Sequence, residues 1–199
     1  GGWFPLAVGV ISFTVLTTWR RGRKLVNEEM ASSSMPIESF IEFTNDVHRV
    51  NGTAVFMTSS PDGVPSALLH NLKHNQILHE RVVLMTIKTA DKPFVKTSKQ
   101  VETQDLGKNF SRIIVTYGFM QNPDVPRALK LCEAHGMTFD MMSTTFYLAR
   151  ESVVPAAKSS FTFWRAHIFR LMSKNATSAT DFFKIPANRV VELGTQIAI

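Results

Sequence analysis

Charge is missing from the start of this chain: from Gly2 to Trp19 no side chain ionises. Cysteine is nearly missing as well, with Cys132 alone. No internal disulfide can form, which suits a reducing compartment. The chain has no GxGxxG or GxxxxGK[ST] phosphate loop, no GxSxG nucleophile elbow and no zinc-finger spacing. The usual signatures of dinucleotide, nucleotide, serine-hydrolase and zinc chemistry are therefore absent. No internal repeat or low-complexity segment stands out. Ten glycines, nine prolines and 44% apolar residues are ordinary for a folded domain and exclude disorder.

Against that uncharged opening stand Arg20, Arg21, Arg23 and Lys24. An apolar run of about 18 residues rises ~27 Å as a helix, close to the thickness of a bilayer's hydrocarbon core. Trp3 and Trp19 bracket the run where indoles favour the water–lipid boundary, and positive charge stays on the cytoplasmic side. Residues 1–24 thus read as a transmembrane helix with a basic cytoplasmic flank. Trp3, Trp19, Arg20, Arg21, Arg23 and Lys24 would be its interface anchors, and the lipid bilayer its partner. A buried core helix is the alternative; a signal peptide would carry its charges before the run. The chain starts at Gly1 without an initiating Met, and reads as a piece of a longer membrane protein. Four of the positive charges behind the net +6 sit at residues 20–24. The remainder is only slightly basic, and no basic stripe interleaves with aromatics, so nucleic acid is not an expected partner.

Residues 25–50 read as a linker followed by a short amphipathic helix, with Ile37, Phe40 and Ile41, and then Val47, on its apolar side. Residues 51–199 read as a cytosolic α/β domain. Thr53–Thr58 is a buried strand between turn signals. A helix opening at Pro65 carries Leu68, Leu69, Leu72 and Ile77 on one side. A second apolar strand spans Arg81–Ile87. Strand, helix and strand suggest a parallel βαβ unit, and strands apolar on both faces need helices over both. Val95 and Val101 are candidates to begin an edge strand. Ser111–Phe119 is a strand, a helix opens at Pro123–Pro126 and stops at Gly136, and Thr144–Leu148 is a short strand. Residues 160–174 form a helix with Phe163, Ile168, Leu171 and Met172 apolar. A helical turn lies within Ser178–Phe183, and 189–199 alternates as a strand. The fold class is α/β, a mixed sheet with flanking helices preceded by one transmembrane helix; strand order is not legible.

No catalytic residue, metal site or cofactor is expected. His70 and His74 are four apart on one helix face, but Asn71 stands where a zinc protease needs Glu, and no further ligand is spaced to join them. With His79, Asn75 and Glu80 they read as a polar helix face. Cys132 reads as a small buried hydrophobe rather than a thiolate paired with His135. Arg150-Glu151 reads as a structural ion pair. The loop after the first strand, Ser59-Ser60-Pro61-Asp62-Gly63, lies where open α/β sheets bind ligands. Ser59, Ser60, Asp62 and Ser66 are the ligand candidates there, against the reading of an ordinary turn. A membrane-anchored α/β enzyme and a structural dimerisation module are the alternatives to a transport role.

Several strings then line up. They are Gly2-Trp3-Phe4-Pro5, Thr17-Thr18-Trp19-Arg20-Arg21-Gly22-Arg23, Gly52-Thr53-Ala54-Val55-Phe56, Val64-Pro65 and Ala67–Asn75 with Leu78-His79-Glu80-Arg81. Later come Tyr117-Gly118-Phe119-Met120, Pro123-Asp124-Val125-Pro126, Arg150-Glu151, Ile185-Pro186 and Asn188–Gly194. Through them the chain resembles the C-terminal part of a Kup/HAK/KT potassium uptake permease. Ala149 stands where that pattern suggests Gly or Ser. The resemblance implies an inner-membrane, multi-pass protein coupling potassium ion and proton entry. This chain would supply its last membrane helix and a cytosolic regulatory or assembly domain. The ion-binding helices of such a permease lie outside these residues. The resemblance suggests a cyclic dinucleotide as a partner, with the 59–66 loop as its place; a homodimer is the partner that the dimerisation alternative expects.

Overall fold

A computed structural model describes residues 2–32, 35–154 and 163–198. They divide into two compact units. One comprises residues 1–33, 151–176 and 194–199, the other 34–150 and 177–193. In chain order the elements are α1 (Trp3–Ser32), α2 (Ile37–Phe43), β1 (His48–Thr58), α3 (Ser66–Asn75), β2 (Ile77–Ala90), β3 (Val101–Gly107) and β4 (Phe110–Gly118). They continue with α4 (Val125–Leu131), β5 (Thr144–Val154), α5 (Phe163–Lys174), α6 (Ala179–Phe182) and β6 (Val190–Ala198).

The six strands form one sheet in the order β3-β4-β2-β1-β5-β6. β1 pairs in parallel with β2 and β5, and β2 in parallel with β4, while β3 is antiparallel to β4. The sheet is mixed, and the expected α/β class and the parallel β1-α3-β2 unit are both present. Side-chain alternation sorts the strands onto two faces. Val55, Val83, Met85, Ile113, Val115 and Phe146 bury against Val125, Ala128 and Leu129 of α4. Ala54, Phe56, Val82, Leu84, Phe110 and Tyr147 bury against Ile37, Phe40 and Ile41 of α2 and Ala67 and Leu68 of α3. Neither face can be left to water, which is why these strands read as continuous apolar runs.

Two boundaries and one burial differ from expectation. The helix after Pro65 stops at Asn75, because Gln76 takes the left-handed conformation (φ 56°, ψ 26°) and its amide caps the Leu72 carbonyl at 3.0 Å. Glycine or asparagine usually signals that stop; here neither does, so Ile77 belongs to β2 rather than to the helix. Val95 is not in a strand: β3 begins at Val101, after a short 3-10 turn at Thr97–Lys99. Leu171, expected on the buried side of α5, is exposed, whereas Ala166 and Phe169 are buried. The start of the helix expected at 160–162 lies outside the described residues.

The first unit is built on α1, an unbroken helix of 30 residues. Among the described residues no helix is long and apolar enough to cross a membrane. The transmembrane helix expected over 1–24 is therefore not shown. Pro5, Gly9, Ser12, Thr14, Thr17 and Thr18 dilute the apolar stretch, and the helix runs straight on into Arg20 and Arg21. Its first half is nonetheless bare: Phe4, Leu6, Val10, Ile11, Phe13 and Leu16 are all exposed. Its second half packs on α5, with Val26, Ala166, Phe169 and Ile197 buried together.

Candidate functional site

The parallel sheet changes direction beside β1. From β1 the chain moves through α3 to β2 on one side, and it later returns through α4 to β5 on the other. The carboxyl end of β1 therefore faces the crevice where open α/β sheets hold ligands. The loop that fills it is 59–65. Thr58 closes its first turn, its hydroxyl donating to the Ser60 carbonyl at 2.9 Å and accepting from the Ser60 amide at 3.3 Å. The Asp62 amide donates to Ser60 Oγ at 3.3 Å. The Val64 amide donates to the Met35 carbonyl at 2.9 Å, tying the loop to the residues before α2. Pro65 occupies the cap position of α3, and no side chain caps that helix start.

The structure thus brings Ser59, Ser60, Asp62 and Ser66 to one end of the sheet. Ser59, Ser60 and Asp62 are exposed and Ser66 is half-buried. Ser60 serves the turn itself, and the Asp62 carboxylate would oppose an anion approaching the start of α3. Thr86, level with Thr58 across the ladder, is fully buried with an unpartnered hydroxyl. Its residue type gave no hint of this, since a threonine in a strand usually reflects β propensity.

Other candidates settle as packing. Among the described residues no group of His, Cys, Asp and Glu is placed to hold a metal. His70 and His74 lie on α3 with ring centroids 5.9 Å apart. His79 is on β2 instead, edge-on to Tyr147 at 5.9 Å, and burial lowers its pKa. Cys132 donates its thiol to the Ala128 carbonyl at 3.3 Å. Burial pushes its pKa up to about 11, against a smaller opposing pull from Arg81; a thiol that holds its proton is no nucleophile. Among the described side chains, Arg150 has a partner on β6. It meets Glu192 at 3.3 Å, and Glu192 also accepts from Thr180 Oγ1 at 3.1 Å. Trp3 is exposed, while Trp19 lies 5.5 Å from the Phe169 ring and helps seat α5 on α1. Arg20, Arg21 and Lys24 share a groove of the first unit with Arg165.

Several residues that organise the second unit carried no readable signal. Arg49 donates to the carbonyls of His79 at 3.0 Å and Lys108 at 3.3 Å, strapping β1 to β2 and to the β3–β4 turn. Buried Asn71 donates to the Ile77 carbonyl at 3.0 Å and accepts from Asn75 at 2.9 Å, clasping the α3–β2 junction. Gln121 Oε1 accepts from the amides of Val95 at 2.9 Å and Gly118 at 2.7 Å. All three pair with backbone far along the chain or across a turn, and no spacing rule announces such partners.

This is a mixed α/β domain whose polar constellations are mostly structural, with one loop at the sheet's switch point. The chain belongs to the K+ potassium transporter C-terminal domain family, whose model matches residues 51–199. It is 62% identical over 199 residues to the probable potassium transport system protein Kup 2 of Dechloromonas aromatica (strain RCB), covering all of this chain and 32% of that protein. It is 56% identical over 200 residues to the corresponding Kup 1 of Rhodopseudomonas palustris (strain BisB18), and 52% over 201 residues to Kup of Azoarcus sp. (strain BH72), with 32% of each covered. The chain spans about a third of the length of the curated relatives it matches, at 32%. No solved structure matches it.

Proposed function

We propose that this chain is the C-terminal part of a proton-coupled potassium uptake permease of the inner membrane. Its second unit is a cytoplasmic regulatory or assembly domain without an enzymatic step. The observation that carries the reading is 62% identity, extending over the whole chain, to a protein named for potassium transport. The bare first half of α1 supports it. Exposed apolar side chains in such number call for cover from lipid or from other helices, and a membrane-embedded remainder of the protein would supply that cover. Potassium ion and proton would be handled by that remainder. Regulation requires a ligand or partner with unequal affinity for two states of the helix bundle. A second copy of the chain, or a cyclic dinucleotide at Ser59, Ser60, Asp62 and Ser66, are the candidates.

The test is growth of a potassium-uptake-deficient bacterium on limiting potassium. It compares the full-length protein with a form lacking the residues numbered 35–199 here. Failure of the full-length protein to restore growth would end the potassium reading. Identical uptake by both forms at every potassium concentration would end the regulatory one. Calorimetry of the chain with a cyclic dinucleotide tests the ligand, and no heat at saturation removes it. Light scattering at rising concentration tests the second copy, and a constant monomer mass removes it.

A further inference from the structure

Within the first unit, α1 and α5 approach closely because Gly22 has no side chain. A Cβ there would fall on the Phe169 ring, with Cε2 at 2.6 Å. Thr18, Gly22 and Val26 recur at four-residue steps along one stripe of α1, and Thr18 and Val26 are fully buried. The close approach sets Arg165 of α5 beside the basic turn of α1. Together they form a groove of about 550 Å³ lined by Thr17, Arg20, Arg21, Lys24 and Glu28 with Arg165. Among the described residues lining it, Glu28 is the carboxylate beside Arg20, Lys24 and Arg165, and it lies 3.6 Å from Lys24. Arg20 and Lys24 are a like-charged pair one helical turn apart, which opposes the helix until an anion sits between them. Guanidinium forks suit the paired oxygens of a phosphate.

What adjoins the groove indicates what carries the phosphate. Immediately before it on α1, Phe13 and Leu16 are each 68% exposed. On α5, Trp164 is exposed, with the Arg165 guanidinium 5.3 Å from its ring centroid. An apolar helical surface running into clustered Arg and Lys, with an indole at the margin, is the build of a helix that meets a lipid surface.

We propose that the groove between α1 and α5 binds the phosphodiester of an anionic phospholipid. Arg20, Arg21, Lys24 and Arg165 face the phosphate, and Phe13 and Leu16 lie toward the acyl chains. The site goes beyond the potassium reading and does not depend on it.

Co-sedimentation of the 199-residue chain with vesicles tests it, comparing phosphatidylcholine alone with phosphatidylcholine containing phosphatidylglycerol. Affinity rises with phosphatidylglycerol and falls with salt. Arg20→Gln and Arg165→Gln each weaken binding to the anionic vesicles by about fivefold, while Arg170→Gln, on α5 outside the groove, changes it by less than about twofold. Arg165→Lys, which keeps the charge, retains most of the binding, and circular dichroism checks that each variant keeps its helix content. Equal losses from Arg165→Gln and Arg170→Gln would reveal diffuse attraction and overturn the site. So would equal binding to both vesicle types, or binding of free pyrophosphate that leaves the vesicle affinity unchanged.

Discussion

Replacing Gly118 with alanine should break a latch at the carboxyl end of β4. Gly118 has an ordinary backbone conformation, so the penalty is steric. An added Cβ would fall on the Pro93 carbonyl and stand 2.7 Å from the Lys92 oxygen, and backbone cannot swing aside as a side-chain tip can. The 91–96 segment must move away. With it go the bonds from the Phe119 amide to Lys92 O at 2.9 Å and from the Met120 amide to Pro93 O at 3.1 Å. Overpacking costs ~1–3 kcal/mol and each lost hydrogen bond ~1 kcal/mol. A total of ~3 kcal/mol lowers the melting temperature by ~6–12 °C for a domain of this size. Gln121→Leu releases the same segment from the other side, removing the bonds from the Val95 and Gly118 amides and the one to Val95 O at 3.2 Å. Because the two changes free one segment, their effects should fall short of additive by more than ~0.5 kcal/mol. Urea unfolding followed by circular dichroism gives the energies, and hydrogen exchange over 91–96 and 117–121 locates the loss. A Gly118→Ala protein within ~0.5 kcal/mol of the parent, or strictly additive effects, would refute the latch.

Three further outcomes follow from the same geometry. Gly52 sits in the irregular stretch of β1 at φ +108°, and a Cβ there would stand 2.8 Å from the Ser143 carbonyl oxygen; Gly52→Ala should cost ~1–3 kcal/mol in urea unfolding. Cys132, its thiol held protonated by burial, should resist a thiol reagent at pH 8 in the native chain and react fully in urea; rapid native labelling would contradict its placement. His79 has its pKa lowered by burial, so the unfolded chain binds its proton first as pH falls below ~6.5. Stability should therefore be full above that value and decline on acidification, with a shallower decline in His79→Gln; equal slopes would show that His79 is not the group responsible.

How much of this was legible varies with how local the cause is. The strands of the central sheet were readable because burial on both faces turns them into apolar runs. The stop at Gly136 followed capping chemistry, although α4 itself ends at Leu131 and a 3-10 turn at Cys132–His135 carries the chain to that glycine; the short helix expected within Ser178–Phe183 is present as α6. Gln76 was not readable: its left-handed φ is held by the Asn71 clasp across the junction, not by its own side-chain type. The Arg150–Glu192 pair was not readable because its partner lies 42 residues along the chain on β6, and no local spacing announces a contact across strands. The groove around Arg165 stayed hidden for a similar reason. Arg20, Arg21 and Lys24 stood out as a cluster, but Arg165 joins them only through the tertiary contact that Gly22 permits.

The strings behind the family resemblance are, on inspection of their contacts, largely joints. In Gly52–Phe56 the glycine turns the chain past Ser143, whose carbonyl accepts from the Thr53 amide at 3.0 Å. In Ala67–Asn75, Asn71 and Asn75 clasp the turn into β2. Tyr117-Gly118-Phe119-Met120 and Pro123–Pro126 form one assembly. There the Tyr117 hydroxyl donates to the Asp124 carbonyl at 2.9 Å and accepts from the Asp124 amide at 3.1 Å, while the Asp124 carboxylate caps α4 through the Arg127 amide at 2.9 Å. Such residues specify how strands hand over to helices. Likeness in these strings is therefore strong support for a shared fold. These joints leave the 59–66 loop as the part of the second unit where Ser59, Ser60 and Asp62 are exposed rather than spent on joining strands to helices, so the calorimetry on that loop is the experiment that bears on the proposed regulatory role.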